Sequence, residues 1–135
     1  MSEPIWVSLE VLLEIHDEQL QEHGGSAGIR DRNLLESALA RPKNQYVYSE
    51  SSLPELAAAY AFGIARNHPF VDGNKRTAFI AMALFLWTNG FRLVTTQTEA
   101  IAAMLELASG TLPEAALALW VRDRVVSEPF PPSES

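Results

Sequence analysis

The sequence predicts an all-α fold: one domain, built as a bundle of about six helices around a buried central helix. Three observations predict it. At 135 residues the chain fits a single domain, since domains usually run to about 100–200 residues. Stretches with helical apolar spacing or composition alternate with cap and breaker residues along its length. One of them, Lys75 to Thr88, carries almost no charge, as a helix wrapped by others would.

The first helix spans Val7 to His23. Leu9, Val11, Leu12, Leu13, Ile15 and Leu20 form an imperfect helical stripe, Ser8 is available as a cap, and Gly24-Gly25 stops the run. A short second helix follows, with Asn33 and Glu36 at capping-box-like spacing, Leu34, Leu35, Ala38 and Leu39 as its apolar residues, and Pro42 as its end. Arg41 to Ser52, with Tyr46, Val47 and Tyr48 between polar residues, reads equally as a loop or a brief edge strand.

Pro54 suits the first turn of a third helix, which runs through Tyr60, Phe62 and Ile64 to Asn67 before Pro69 breaks it. Asp72-Gly73-Asn74 is turn or cap chemistry ahead of the fourth helix, which Asn89-Gly90 ends. Phe79, Phe85 and Trp87 on this helix are read as core, as are Leu105 and Leu107 on the next. Phe91 to Val94 is a short extended link. Thr96 with Glu99, then Thr111 with Pro113 and Glu114, start two more helices that reach about Ser109 and about Val126. The domain therefore covers residues 1–126, and the proline- and serine-rich stretch 127–135 is expected to be a disordered tail.

Composition removes several classes of function. With no cysteine the chain has no disulfide, no thiolate metal site and no cysteine nucleophile. Apolar residues make up 47% and mean hydropathy is zero, which suits a soluble globule. The longest apolar run, Ala78 to Trp87, falls well short of the roughly 20 residues that span a bilayer. Glu3 and Glu10 flank Ile5, Trp6 and Val7, unlike a secretory leader, so a cytoplasmic protein is expected. The net charge of −7 repels phosphate backbones and anionic lipid, which argues against direct nucleic-acid or membrane binding. Any anion site must be local. His16 and His23 share the first helix without a third ligand at metal spacing, so packing or surface roles are expected and no structural metal.

Chemistry concentrates in Asn67-His68-Pro69-Phe70-Val71-Asp72-Gly73-Asn74-Lys75-Arg76-Thr77-Ala78. The first N–H groups of the fourth helix lack intrahelical partners and sit at the positive end of its dipole, which suits phosphate oxygens. Gly73 lets that backbone approach a ligand closely. Lys75 and Arg76 add two cations, Asp72 offers a hard oxygen to Mg²⁺, and the His68 imidazole can take a hydroxyl proton. Spacing alone leaves a second reading open, in which the loop histidine is a surface residue and Asp-Gly-Asn merely caps a helix. Neither the glycine-rich phosphate loop nor the dinucleotide fingerprint is present.

The run from His68 to Ala78 resembles the signature of the Fic/Doc (Fido) superfamily, specifically its death-on-curing branch. Glu18-Gln-Leu, Gly24-Gly25, Gly28-Ile-Arg-Asp31, Leu34 to Pro42 and Asn89-Gly90 are also similar to that branch, so the likeness covers residues from about 9 to 94. The resemblance implies a Fido-type fold and a toxin of a type II toxin–antitoxin system. It implies that His68 is the general base for a target hydroxyl and that Asp72 holds the Mg²⁺ bridging the nucleotide phosphates. Gly73, Asn74, Lys75 and Arg76 would form the anion nest, and Arg66, just ahead of the motif, is a candidate to add charge there.

Family members that transfer AMP generally have Gly where this chain has Lys75 and a second Arg where it has Phe79. Both differences fall on the phosphate site, where a lysine side chain fills space and the missing guanidinium removes a bidentate clamp. In the death-on-curing branch they accompany reversed nucleotide placement. The resemblance thus implies an Mg²⁺-dependent kinase that moves the γ-phosphoryl of ATP to a threonine of bacterial elongation factor Tu and stalls translation; the alternative is AMP transfer to a target hydroxyl. It also implies a small, Phd-like antitoxin whose disordered segment folds on binding, and a target-docking flap around Arg41 to Ser52.

Overall fold

A computed structural model describes residues 3–129. It contains six helices, α1 (Leu9–His23), α2 (Arg32–Tyr48), α3 (Leu53–Asn67), α4 (Asn74–Thr88), α5 (Gln97–Ser109) and α6 (Glu114–Arg122), and two short strands, β1 (Phe91–Leu93) and β2 (Val125–Ser127). Side chains set most of the helix starts. Ser8 accepts from the Val11 N–H, Asp31 from Leu34, Ser52 from Glu55 and Thr96 from Glu99, each satisfying a backbone donor that the helix leaves unpaired. At α3 the cap is reciprocal, because the Glu55 carboxylate accepts from the Ser52 N–H.

The central helix is α3. Leu56 to Ala61, Gly63, Ile64 and Ala65 are all buried, and α2, α4, α5 and α6 pack around it. Its alanines let these neighbours approach closely. Helix α4, uncharged after Arg76, lies beside α3 and buries Ala78, Ala81, Met82, Phe85 and Leu86, but Phe79, Ile80, Ala83, Leu84 and Trp87 are only partly buried. Phe79 therefore packs at the edge of the core rather than within it and Trp87 is only partly buried; Leu105 on α5 is 52% exposed, whereas Phe85 and Leu107 are fully buried.

α2 departs most from the sequence expectation. It starts at the Asp31 cap rather than at Asn33, and it continues through Pro42 to Tyr48. Pro42 lacks the N–H that would bond the Ala38 carbonyl. Packing outweighs that loss: Ala38 and Pro42 are both buried, and a Cβ at Gly63 of α3 would stand only 3.1 Å from the Ala38 Cα. The two helices cross where glycine removes the obstacle. Tyr46 then packs edge-on to Trp6, with ring centroids 5.6 Å apart, so Arg41 to Tyr48 is helix and only residues 49–52 of that stretch are loop.

The C-terminal part also differs. α6 stops at Arg122, and the β-branched pair Val125-Val126 extends instead, pairing antiparallel with β1 so that Phe91 faces Ser127 and Leu93 faces Val125. Ser127, placed by the sequence reading in the tail, is thus part of a strand; residues 130–135 of that expected tail lie outside the described residues. Arg124 ties the corner down by donating to Glu99 at 3.1 and 3.0 Å while its guanidinium lies 4.4 Å from the Trp120 ring centroid. These contacts hold α5 against α6. Among the described residues no helix is long and apolar enough to cross a membrane.

Candidate active site

The α3–α4 connection is built to hold an unusual backbone. α3 ends at His68, whose φ of 52° makes it the one non-glycine residue with positive φ among the described residues. Such a conformation costs on the order of 1 kcal/mol and persists where neighbours over-determine it. Here the extended segment after α1 does so. Arg30 and Asp31 N–H groups both donate to the Pro69 carbonyl at 2.7 and 3.1 Å, Val71 N–H donates to Gly28, and Ile29 forms an isolated antiparallel bridge with Phe70. The Arg30 guanidinium donates to the carbonyls of His68 and Asn67 at 2.6 and 2.8 Å. The strand-like neighbour of the motif therefore precedes α2, and of the expected flap, Arg41 to Ser52, the part up to Tyr48 is helix.

The loop's far end is equally constrained. Phe70 is fully buried, and Asn74 uses its side-chain amide on both backbone groups of that residue, at 2.9 Å each. Asn74 is buried, 3% exposed. Its amide organises the loop. Gly73 then takes the left-handed conformation, φ 78°, as the N-cap of α4, and no side chain caps this helix. Its first N–H groups are left to face outward beside Lys75 and Arg76.

Asp72 sits at this terminus with an exposed carboxylate. The Gly73 N–H, and after it the Ser26 N–H, hold its carboxyl below the usual carboxylate range; Arg76 and Lys75 push the same way against desolvation. The result is an ionised oxygen donor at neutral pH.

These groups share one cleft of about 650 Å³. His68, Asp72, Gly73, Asn74, Lys75 and Arg76 line one end, and Phe79 and Ile80 continue along α4. Thr95 to Gln97 and one face of α5, with Ala100, Ile101, Met104 and Leu105, form the opposite wall. The structure thus brings together every site residue expected from the sequence except Arg66. That residue does not line the cleft: its guanidinium lies against Gly110 at the end of α5, where a Cβ would meet it at 2.6 Å. One position before the end of α3 and two before His68, its side chain leaves from a different face.

Sequence reasoning missed the contribution of α1. Gln19 and His23 line the cleft, and buried His16 stacks on Phe70 with ring centroids 3.8 Å apart. The signal was present in the spacing of the two histidines, because residues seven apart lie on the same helix face. Histidine on one face of α1 looks toward the α4 terminus.

Comparison with known proteins shows which family the sequence resembles. A family model described as "Fic/DOC family" matches residues 6–86. The chain is 48% identical over 73 residues to "Toxin Doc" of Mycolicibacterium smegmatis, across 52% of this chain and 55% of that protein. It is 36% identical over 88 residues to "Protein kinase doc" of Escherichia phage P1, across 64% of this chain and 70% of that protein. The match therefore spans little more than half the length of the mycobacterial relative.

Proposed function

The chain belongs to the Fic/DOC family, and from that premise we propose that it is a toxin kinase, moving the γ-phosphoryl group of ATP to a threonine hydroxyl of bacterial elongation factor Tu and so blocking translation. The observation that carries the proposal is the shared cleft wall: an exposed histidine, an ionised carboxylate and an uncapped helix N-terminus with two cations. The phage relative's name, a protein kinase, supports phosphoryl transfer, and the mycobacterial relative's name supports a toxin role.

In this reading the α4 terminus, Lys75 and Arg76 receive phosphate oxygens, and His68 takes the proton of the attacking hydroxyl. The new bond joins the threonine oxygen to the γ-phosphorus, the bond to the β-bridging oxygen breaks, and ADP leaves. Such a transfer depends mainly on in-line positioning and on neutralising charge at the phosphoryl oxygens. The residues fit a magnesium ion of the nucleotide-borne kind. Among the described residues no cluster of three or more His, Asp or Glu could cage a metal, and Mg²⁺ is typically held by one or two carboxylates with phosphates and water. Asp72 would be that carboxylate. Bound there, the ion would offset negative charge on the phosphates.

Lys75 and Phe79 both line the cleft, which supports γ-phosphoryl over AMP transfer: one fills space beside the phosphates, and the other supplies no guanidinium for the outer ones. A small, Phd-like antitoxin completes the proposal. Ile101 and Leu105 of α5, 53% and 52% exposed, with partly buried Ile80, offer an apolar strip on which an antitoxin segment could fold as a helix. Mass analysis of elongation factor Tu after incubation with the protein, ATP and Mg²⁺ tests the reading. A phosphorylated threonine supports it; an AMP adduct or an unmodified factor overturns it.

A further inference from the structure

The proposed chemistry leaves a buried histidine unused. His16 of α1 is 6% exposed, lies flat on Phe70 with an interplanar angle of 9°, and places Nε2 2.8 Å from the Asp72 carbonyl oxygen. A carbonyl only accepts, so Nε2 carries the proton and donates. The same ring faces Gly73: a Cβ there would lie 3.7 Å from both Nε2 and Cδ2.

In a trans peptide the C=O and N–H point in opposite directions. Drawing the Asp72 carbonyl inward to His16 therefore turns the Gly73 N–H outward, where it donates to Asp72 Oδ1 at 2.8 Å beside the cleft. Glycine's freedom at this position makes the opposite orientation accessible. That orientation would present a carbonyl oxygen to the anion site and take a donor from the Asp72 carboxylate. We propose that His16 is a positioning residue that locks the Asp72–Gly73 peptide, so that its N–H stays on the Asp72 carboxylate and no carbonyl oxygen faces the phosphate site. The inference rests on the nucleotide-binding reading of the cleft.

Two variants separate the donor from the packing. His16→Phe keeps the ring on Phe70 and loses the donor, whereas His16→Gln keeps an amide N–H near the Nε2 position and loses the ring. Each is compared with wild type by melting temperature, by Mg²⁺·ATP titration and by ¹⁵N NMR of the imidazole and the Gly73 amide. Wild type should show the Nε2-protonated tautomer. His16→Phe should stay folded, shift the Gly73 amide and lose at least ~10-fold in Mg²⁺·ATP affinity, the usual scale for a group that orients a ligand-holding residue. His16→Gln should recover most of that affinity. An Nδ1-protonated ring, wild-type affinity in His16→Phe, or equal losses that track melting temperature in both variants would overturn the lock. Absence of nucleotide binding by wild type would instead count against the proposed function, and the tautomer and the Gly73 shift in His16→Phe would still judge the lock on its own.

Discussion

Asn74 and Phe70 hold each other through a closed pair of hydrogen bonds: the Phe70 N–H donates to Asn74 Oδ1 and the Asn74 amide donates to the Phe70 carbonyl, both at 2.9 Å. The pair is buried and joins the first turn of α4 to the loop that carries His68 and Asp72. An asparagine expected from the sequence to help cradle an anion thus lines the cleft with its amide engaged on the loop backbone.

Asn74→Ala leaves two buried backbone groups of Phe70 unpaired. It should cost about 2–3 kcal/mol, read as a lower urea midpoint at unchanged slope. Wild-type stability in this variant would show that the loop is held by its other contacts.

The Tyr60 phenol oxygen accepts from the buried Val7 N–H at 2.9 Å, and burial pushes its pKa from 10.0 up to about 12 against the effect of that bond. The folded state therefore keeps a proton that the unfolded chain releases, so stability should fall as pH rises from about 10 to about 12. Tyr60→Phe removes this alkaline loss but strands the Val7 N–H, at a cost of about 1–2 kcal/mol near neutral pH. Thermal melts of both proteins across pH check the two signs together.

His68 combines a functional ring with a backbone conformation that suits glycine. His68→Gly and His68→Ala should both abolish transfer, yet the glycine variant should be more stable than the alanine variant by about 1 kcal/mol, because only alanine keeps a Cβ at positive φ. Comparing their denaturation midpoints separates strain from chemistry.

Lys75→Gly combined with Phe79→Arg should open the phosphate site and restore a guanidinium. Product analysis should then show AMP transfer appearing at the expense of phosphoryl transfer. An unchanged product ratio with unchanged nucleotide affinity would mean that neither side chain sets the nucleotide's direction.

The motif was legible in the sequence because its parts are contiguous. His68, Asp72, Gly73, Lys75 and Arg76 fall within one loop and one helical turn, and local backbone rules place them together. What was not legible depends on distant packing. The passage of α2 through Pro42 turns on a glycine in another helix, and the extension of Val125-Val126 depends on an open β1 edge. Helix α4 carried the apolar composition of a central helix, but α3, richer in alanine, holds the centre and leaves Phe79 and Trp87 only partly buried. His16 reaches Asp72 across 56 positions of sequence, and only its spacing from His23 hinted that α1 faces the site. Arg66 was misplaced for the converse reason: nearness in sequence on a helix does not put side chains on one face.

The central claim is that this cleft directs the γ-phosphoryl of ATP to a hydroxyl with His68 as base. The most direct test incubates the protein with Mg²⁺, elongation factor Tu and ATP labelled in either the α or the γ phosphate, with His68→Ala alongside. The account predicts label on the factor from the γ position alone, and none with His68→Ala. Label from the α position, or γ label that survives in the variant, would contradict it.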